Sequence, residues 1–155
     1  MKHALLFLAS LTLALTGCPS DDDDHHGNNI PCDEDTRDEA YEPGMEKATD
    51  NGLMTVVLEE SSPGPIDIGD NDWTISVSDP TSGDAEAGCT ITAVPWMVDH
   101  GHGSNEPVAV ETATPGTYEI TGISVTMAGL WDTELALDCP DLGEDTIHFL
   151  FCIDG

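Results

Sequence analysis

The stretch best supplied with metal-capable side chains is Pro-Trp-Met-Val-Asp-His-Gly-His-Gly-Ser-Asn-Glu-Pro, residues 95–107. His100 and His102 stand two apart, and in extended chain alternate side chains project to the same side. Gly101 and Gly103 leave the backbone free to fold around a ligand. Met97 lies three residues before His100. Imidazole with thioether is a donor set suited to copper: methionine favours Cu(I), and histidine accepts either oxidation state. Zinc more often takes a third histidine, a cysteine or a carboxylate, and Asp99 is at hand for that. Met127, in Thr-Met-Ala-Gly-Leu-Trp, is a second thioether. It reaches the same end as His100 if the strand before it pairs beside the strand that leads into Pro95. A plainer reading stands beside this one. The histidines then belong to a solvent-facing turn chosen for glycine and polarity, and the methionines fill gaps in a core.

Chemistry beyond binding finds no support in the sequence. It contains no His-Glu-x-x-His, no Gly-x-Ser-x-Gly and no phosphate-cradling glycine loop. The acidic run Asp-Ile-Gly-Asp-Asn-Asp-Trp (67–73) lacks the calcium-loop spacing and is expected to be a solvated turn. Binding, with copper as the cofactor, is therefore expected rather than catalysis.

The start of the chain says where this would happen. Lys2 and His3 precede an apolar run of twelve residues, 4–15, which ends in Leu-Thr-Gly-Cys at 15–18. The run is shorter than the roughly 20 residues of a membrane span and fits the apolar region of an export signal. Its end resembles the lipobox of bacterial lipoproteins. That resemblance implies that residues 1–17 are removed and that Cys18 carries the lipid. Two or three acyl chains suffice for stable anchoring. Pro19 follows Cys18 where an aspartate would signal retention in enteric bacteria. The expected location is the cell envelope, at the outer membrane, facing the periplasm or the cell surface. Residues 18–31 are small, acidic and aperiodic, and read as a flexible tether. His25 and His26 lie within it.

Without residues 1–17 the basic residues are Arg37 and Lys47 against 31 acidic ones, a formal charge of −29. Phosphates would be repelled, which excludes nucleic acid as a partner. Cations would be drawn to the surface. Membrane contact is expected through the lipid, with an envelope protein as a possible partner.

Alternation of apolar and polar residues dominates residues 53–152. Strands are expected at 53–60, 72–79, 89–96, 107–113, 116–127, 130–139 and 145–152, the fifth being one strand or two broken at Gly122. Trp73, Ile75 and Val77 share a face, as do Val108 and Val110. Trp96 and Trp131 are expected in core or rim packing. Residues 35–48 tolerate a helix but are cut by Pro43-Gly44, so extended or irregular chain leaning on the fold is expected. In the last hairpin, a turn centred near Gly143 would set Leu137 opposite Phe149 and Leu135 opposite Phe151. About seven short strands with this spacing suggest one all-β, immunoglobulin-like antiparallel sandwich over residues 32–155.

Cys32, Cys89, Cys139 and Cys152 remain once Cys18 is assigned to the lipid. An even number in an exported chain suggests two disulfides, with three possible pairings. Strand phase favours one of them. Cys89 shares a face with Ile91 and Ala93, and Cys139 shares one with Trp131, Leu135 and Leu137. Both therefore point inward. Cys152 has the opposite phase to Ile147, Phe149 and Phe151, and points to where a segment carrying Cys32 can cross. The favoured pairs are Cys89–Cys139 and Cys32–Cys152.

Three linked pieces resemble the YtkA-like and FixH-like domains, small exported or membrane-anchored β-sandwiches. The matching residues are Met97 and His100, then Pro115, Gly116 and Tyr118, then Met127, Gly129 and Trp131. Val98 departs from the pattern, which often has proline there. The likeness covers about residues 53–140. It implies the sandwich and, through the FixH-like group, an association with copper delivery to respiratory oxidase. The resulting expectation is a lipid-anchored envelope protein that carries or buffers copper with Met97, His100, His102 and Met127. The alternative is an envelope interaction or structural module that binds no metal.

Overall fold

The computed structural model describes residues 30–155. The expected export signal 1–17, the expected lipid site Cys18 and residues 18–29 of the expected tether lie outside the described residues. Nine strands follow in order: β1 (Met45–Ala48), β2 (Thr55–Ser62), β3 (Gly69–Ser78), β4 (Thr90–Met97), β5 (His102–Gly103), β6 (Val110–Glu111), β7 (Thr117–Val125), β8 (Gly129–Cys139) and β9 (Gly143–Ile153). They form two antiparallel sheets, ordered β1-β2-β3-β7-β6 and β5-β4-β8-β9. The chain is an all-β sandwich, with no helix among the described residues. The strands beyond the expected seven are short: β1 after the Pro43-Gly44 break, and β5 inside the histidine stretch.

Alternation builds the core, because a period of two commits each strand's apolar set to one face. Trp73, Ile75 and Val77 of β3 are buried against Leu135 and Leu137 of β8 and Ile147, Phe149 and Phe151 of β9 in one cluster. Trp73 meets Phe149 and Phe151 edge-on, with centroids 5.7 and 6.0 Å apart. Such pairs add to what area burial alone contributes.

The two disulfides are Cys32–Cys152 and Cys89–Cys139, the pairs that strand phase favours. Cys32–Cys152 carries the segment before β1 onto the outer side of β9. Backbone bonds continue the contact: Glu39 N–H donates to the Leu150 carbonyl at 2.7 Å. Lys47 reaches the Glu39 carboxylate and the His148 carbonyl, both at 2.5 Å.

Several expectations differ from the structure. The β8–β9 register sets Leu137 opposite Asp145, Leu135 opposite Ile147 and Trp131 opposite Phe151. The register is four residues away from the expected one, so every face is preserved. Turn chemistry is the reason. Cys139 to Leu142 form the turn, closed by Leu142 N–H on the Cys139 carbonyl at 3.3 Å, with Pro140 in its second position. Gly143 follows at φ +87° and pairs with Cys139. It is the left-handed residue after a three-residue connection, not the turn's centre.

The expected strand 107–113 contributes only β6 and an isolated bridge from Val108 to Thr92. Val108 and Val110 are 57% and 70% exposed, while Ala109 packs against the core. This segment crosses from the edge of one sheet to the edge of the other. It bonds Ile91 and Ala93 through backbone, then pairs with β7. Its backbone, rather than a valine face, covers the edge. Trp96 is 45% exposed, because its phase opposes that of Ile91, Ala93, Pro95 and Met97. The acidic stretch 67–73 enters β3 instead of turning in solvent, and Asn71 is buried there. β7 is continuous, and Gly122 (φ +74°) sits where its pairing with β3 slips by one residue.

Candidate metal-binding site

β4 ends at Met97, and Gly101 N–H donates back to the Met97 carbonyl at 2.9 Å. Gly101 stands at φ +67°, a value that L side chains rarely adopt. The chain thereby reverses, and β5 pairs with the end of β4: Trp96 with Gly103, Met97 with His102. Residues 97–106 are thus a turn and a short strand rather than open loop. Ser104 Oγ donates to the Ser124 carbonyl and Asn105 Nδ2 to the Gly122 carbonyl, each at 2.5 Å. The histidine stretch is stitched to β7 of the facing sheet.

Pairing across the four-stranded sheet places His102, Met97, Trp131 and Phe151 in one row. Directly paired residues share a side of the sheet. Met97, Trp131 and Phe151 are buried, and His102 ends the row half-buried at the edge. The His102 ring meets Trp131 edge-on, with centroids 6.2 Å apart. The His100 ring lies 5.9 Å from that of His102 at 70°, and His100 is exposed. His102 Nδ1 is 3.2 Å from the Gly103 carbonyl. In the tautomer that donates Nδ1–H to this carbonyl, Nε2 holds the lone pair a metal needs. A second-sphere bond to a backbone carbonyl is a common way to orient a ligand imidazole.

Met127 arrives by a route other than the expected one. β7 pairs with β3 and β6, not with β4. The connection from β7 to β8 crosses between the sheets at this end instead. Trp131 Nε1 donates to the Met127 carbonyl at 2.9 Å, and Val98 N–H donates to the Leu130 carbonyl at 3.0 Å. Met127 is 38% exposed. Met97, by contrast, is fully buried in the core. The side chains with access to solvent are His100, His102 and Met127.

Asp99 is engaged elsewhere. Its two oxygens accept from the two terminal nitrogens of Arg37, each at 2.8 Å. Arg37 Nε and Nη2 also donate to Asp35, at 2.9 and 2.7 Å. The Arg37 bonds hold the Asp99 carboxyl below its ordinary range, against the opposing effect of burial. Asp99 and then Asp35 raise the guanidinium in turn. Among the described residues no three His, Cys, Asp or Glu side chains gather into a metal-binding group. The accessible nitrogen donors at this end are the two imidazoles, and Met127 sits on the turn that Trp131 holds. That set fits copper and lacks the third nitrogen, thiolate or carboxylate that zinc usually takes.

Sequence reasoning passed over Arg37. The available signal was its rarity, since it is one of two cations after residue 17. It also passed over His148, whose Nδ1 lies 3.0 Å from Asp132 and whose Nε2 lies 3.7 Å from both Asp50 and Glu134.

No family model and no curated protein matches the chain. Among solved structures it is similar to a copper-bound variant of FetP from uropathogenic Escherichia coli strain F11. The identity is 12%, the TM-score 0.50, and the match covers 74% of this chain and 97% of that one. At this identity the likeness concerns the fold. The YtkA-like and FixH-like resemblance accordingly rests on its three motifs.

Proposed function

We propose that this chain is a lipid-anchored protein of the bacterial envelope that binds copper at the His100–His102 edge and carries or buffers it without catalysis. The observation that carries this reading is the meeting of three elements at Trp131. The His102 ring packs on the indole, His100 lies beside His102, and the indole N–H holds the turn that bears Met127. The acidic surface would concentrate cations near the site. The copper-bound state of a structural neighbour fits the reading, as do the FixH-like motifs. Met97 would contribute from the core side of the row, beneath the more accessible donors.

The test is calorimetric titration of the mature chain with Cu(I) and Cu(II). Binding tighter than about 10 μM is expected, equivalent to roughly 7 kcal/mol. It should vanish in a His100→Ala, His102→Ala double variant. Unchanged binding in that variant would place copper elsewhere and end the proposal.

One observation favours the alternative of a metal-free interaction module. Trp96, Val98, Val108 and Val110 all expose apolar surface along residues 96–110. A chain that binds no copper but loses an envelope partner on Trp96→Ser would support that alternative.

A further inference from the structure

We infer that Arg37 sets the metal preference of the His100–His102 edge by holding Asp99 out of the donor set. This rests on the copper reading above and goes further, naming what keeps zinc-like ions from completing a site there.

Asp99 is the carboxylate next in sequence to His100, inside the turn that joins Met97 to His102. Two imidazoles plus a carboxylate make a zinc-type set. In a chain with 31 acidic residues and three basic ones, a carboxylate beside the imidazoles would ordinarily be open to metal. Here both of its oxygens are taken by one guanidinium, in the paired geometry that favours arginine over lysine. The guanidinium is itself fixed from behind. Asp35, whose side chain is 1% exposed, accepts from Arg37 Nε, Nη2 and backbone N–H. Asp35 N–H in turn bonds the Pro31 carbonyl at 3.0 Å, one residue from the Cys32–Cys152 disulfide. The clamp on Asp99 is therefore anchored covalently to β9.

The other cation in the described residues, Lys47, bonds Glu39 and the His148 carbonyl. With Asp99 held, the proposed donors at the edge are the imidazoles of His100 and His102, with the thioether of Met127 borne on the adjoining turn. Such a set favours copper, and Cu(I) through its thioether. Releasing Asp99 would add an anionic oxygen and favour a harder dication.

The experiment titrates Zn(II) and Cu(I) into five mature chains: wild type, Arg37→Gln, Asp99→Asn, the double variant and Lys47→Gln. Arg37→Gln is expected to tighten zinc roughly tenfold and to change Cu(I) by less than about threefold. The zinc gain should disappear in the double variant, and Asp99→Asn alone should match wild type. Lys47→Gln removes the same charge away from the site and should leave zinc unchanged. An unchanged zinc-to-copper ratio in Arg37→Gln overturns the inference. So does a gain that survives Asp99→Asn, or one matched by Lys47→Gln. If wild type binds copper and the ratio does not move, only this inference falls. If wild type binds no copper yet Arg37→Gln gains zinc through Asp99, the inference stands and the copper reading falls. If neither chain binds metal, both fall.

Discussion

The indole N–H of Trp131 donates to the Met127 carbonyl at 2.9 Å, across the point where the chain passes from one sheet to the other. The same ring carries His102 at its edge, 6.2 Å between centroids. One buried side chain thus ties the row that ends in His102 to the turn that bears Met127. A substitution at either place should be felt at the other.

Copper at His102 should therefore report through Trp131. Cu(II) quenches indoles within this range, so titration is expected to reduce the intrinsic fluorescence of the chain. With Trp96, which pairs with Gly103 beside His102, first replaced by Phe, Trp131→Phe should remove most of the remaining quench, while Trp73, in the core against Phe149 and Phe151, stays bright. Equal quenching with and without Trp131 in that Trp96→Phe background would place the ion away from His102.

Met127→Leu separates the two oxidation states. The swap keeps volume and removes only the thioether, so its cost to folding is expected below about 1.5 kcal/mol. Cu(I) affinity should fall roughly tenfold and Cu(II) affinity should hold, because the soft donor matters to the softer ion. Competition with a chromophoric Cu(I) chelator measures the first and calorimetry the second.

Tyr118 braces the other end of the sandwich. Its hydroxyl donates to the Glu86 carbonyl at 2.7 Å and accepts from Cys89 N–H at 3.0 Å. Burial, foremost, raises the phenol above its ordinary value. Tyr118→Phe leaves both backbone groups without this partner and should cost about 1–3 kcal/mol. A lowered Tm by calorimetry, with copper binding intact, is the expected result.

Gly116, two residues before Tyr118, stands at φ +75°. A β-carbon there would meet Ala85 Cβ at 2.9 Å and Glu86 N at 3.1 Å. Gly116→Ala combines backbone strain with that close approach and is expected to destabilise by about 1–3 kcal/mol. Chemical denaturation checks it.

Asp145 predicts an acid limb of stability. Burial alone would push its carboxyl up, but bonds from Thr49, Thr146, Asn51 and Leu53 outweigh it and hold the group well below the ordinary range. The unfolded chain takes up that proton first, near pH 3.9. The contribution is therefore complete above about pH 5 and is lost as pH falls through 4 towards the folded value. Asp145→Asn should lower stability by about 1–3 kcal/mol at pH 6 and by clearly less at pH 3. An equal loss at both values would contradict this account.

Much of the core was legible in the sequence, because a strand's side chains alternate with a period of two. Knowing that Cys89 travels with Ile91, or that Cys152 opposes Phe151, needs no coordinates. The two disulfides and the buried row of Trp73, Ile75 and Val77 follow from the same phase. Phase does not set register, however. The β8–β9 pairing depended on how Cys139 to Gly143 turn, and it moved four residues while every face stayed in place. Val108 and Val110 alternate like a core strand, yet a segment that crosses between two sheet edges uses its backbone and leaves both side chains in solvent.

The sequence by itself determined which donors exist in one short stretch, His100 and His102 with Met97 three residues before, and that the chain is almost devoid of cations. Only the tertiary structure decided which of them meet. It buried Met97, tied the turn that bears Met127 to Trp131 by a crossing between sheets, and set Arg37 on Asp99 across 62 positions of sequence. Residue spacing constrains neighbours within a strand or a turn. Contacts over longer separations depend on how strands are shared between two sheets, and local periodicity does not record that choice.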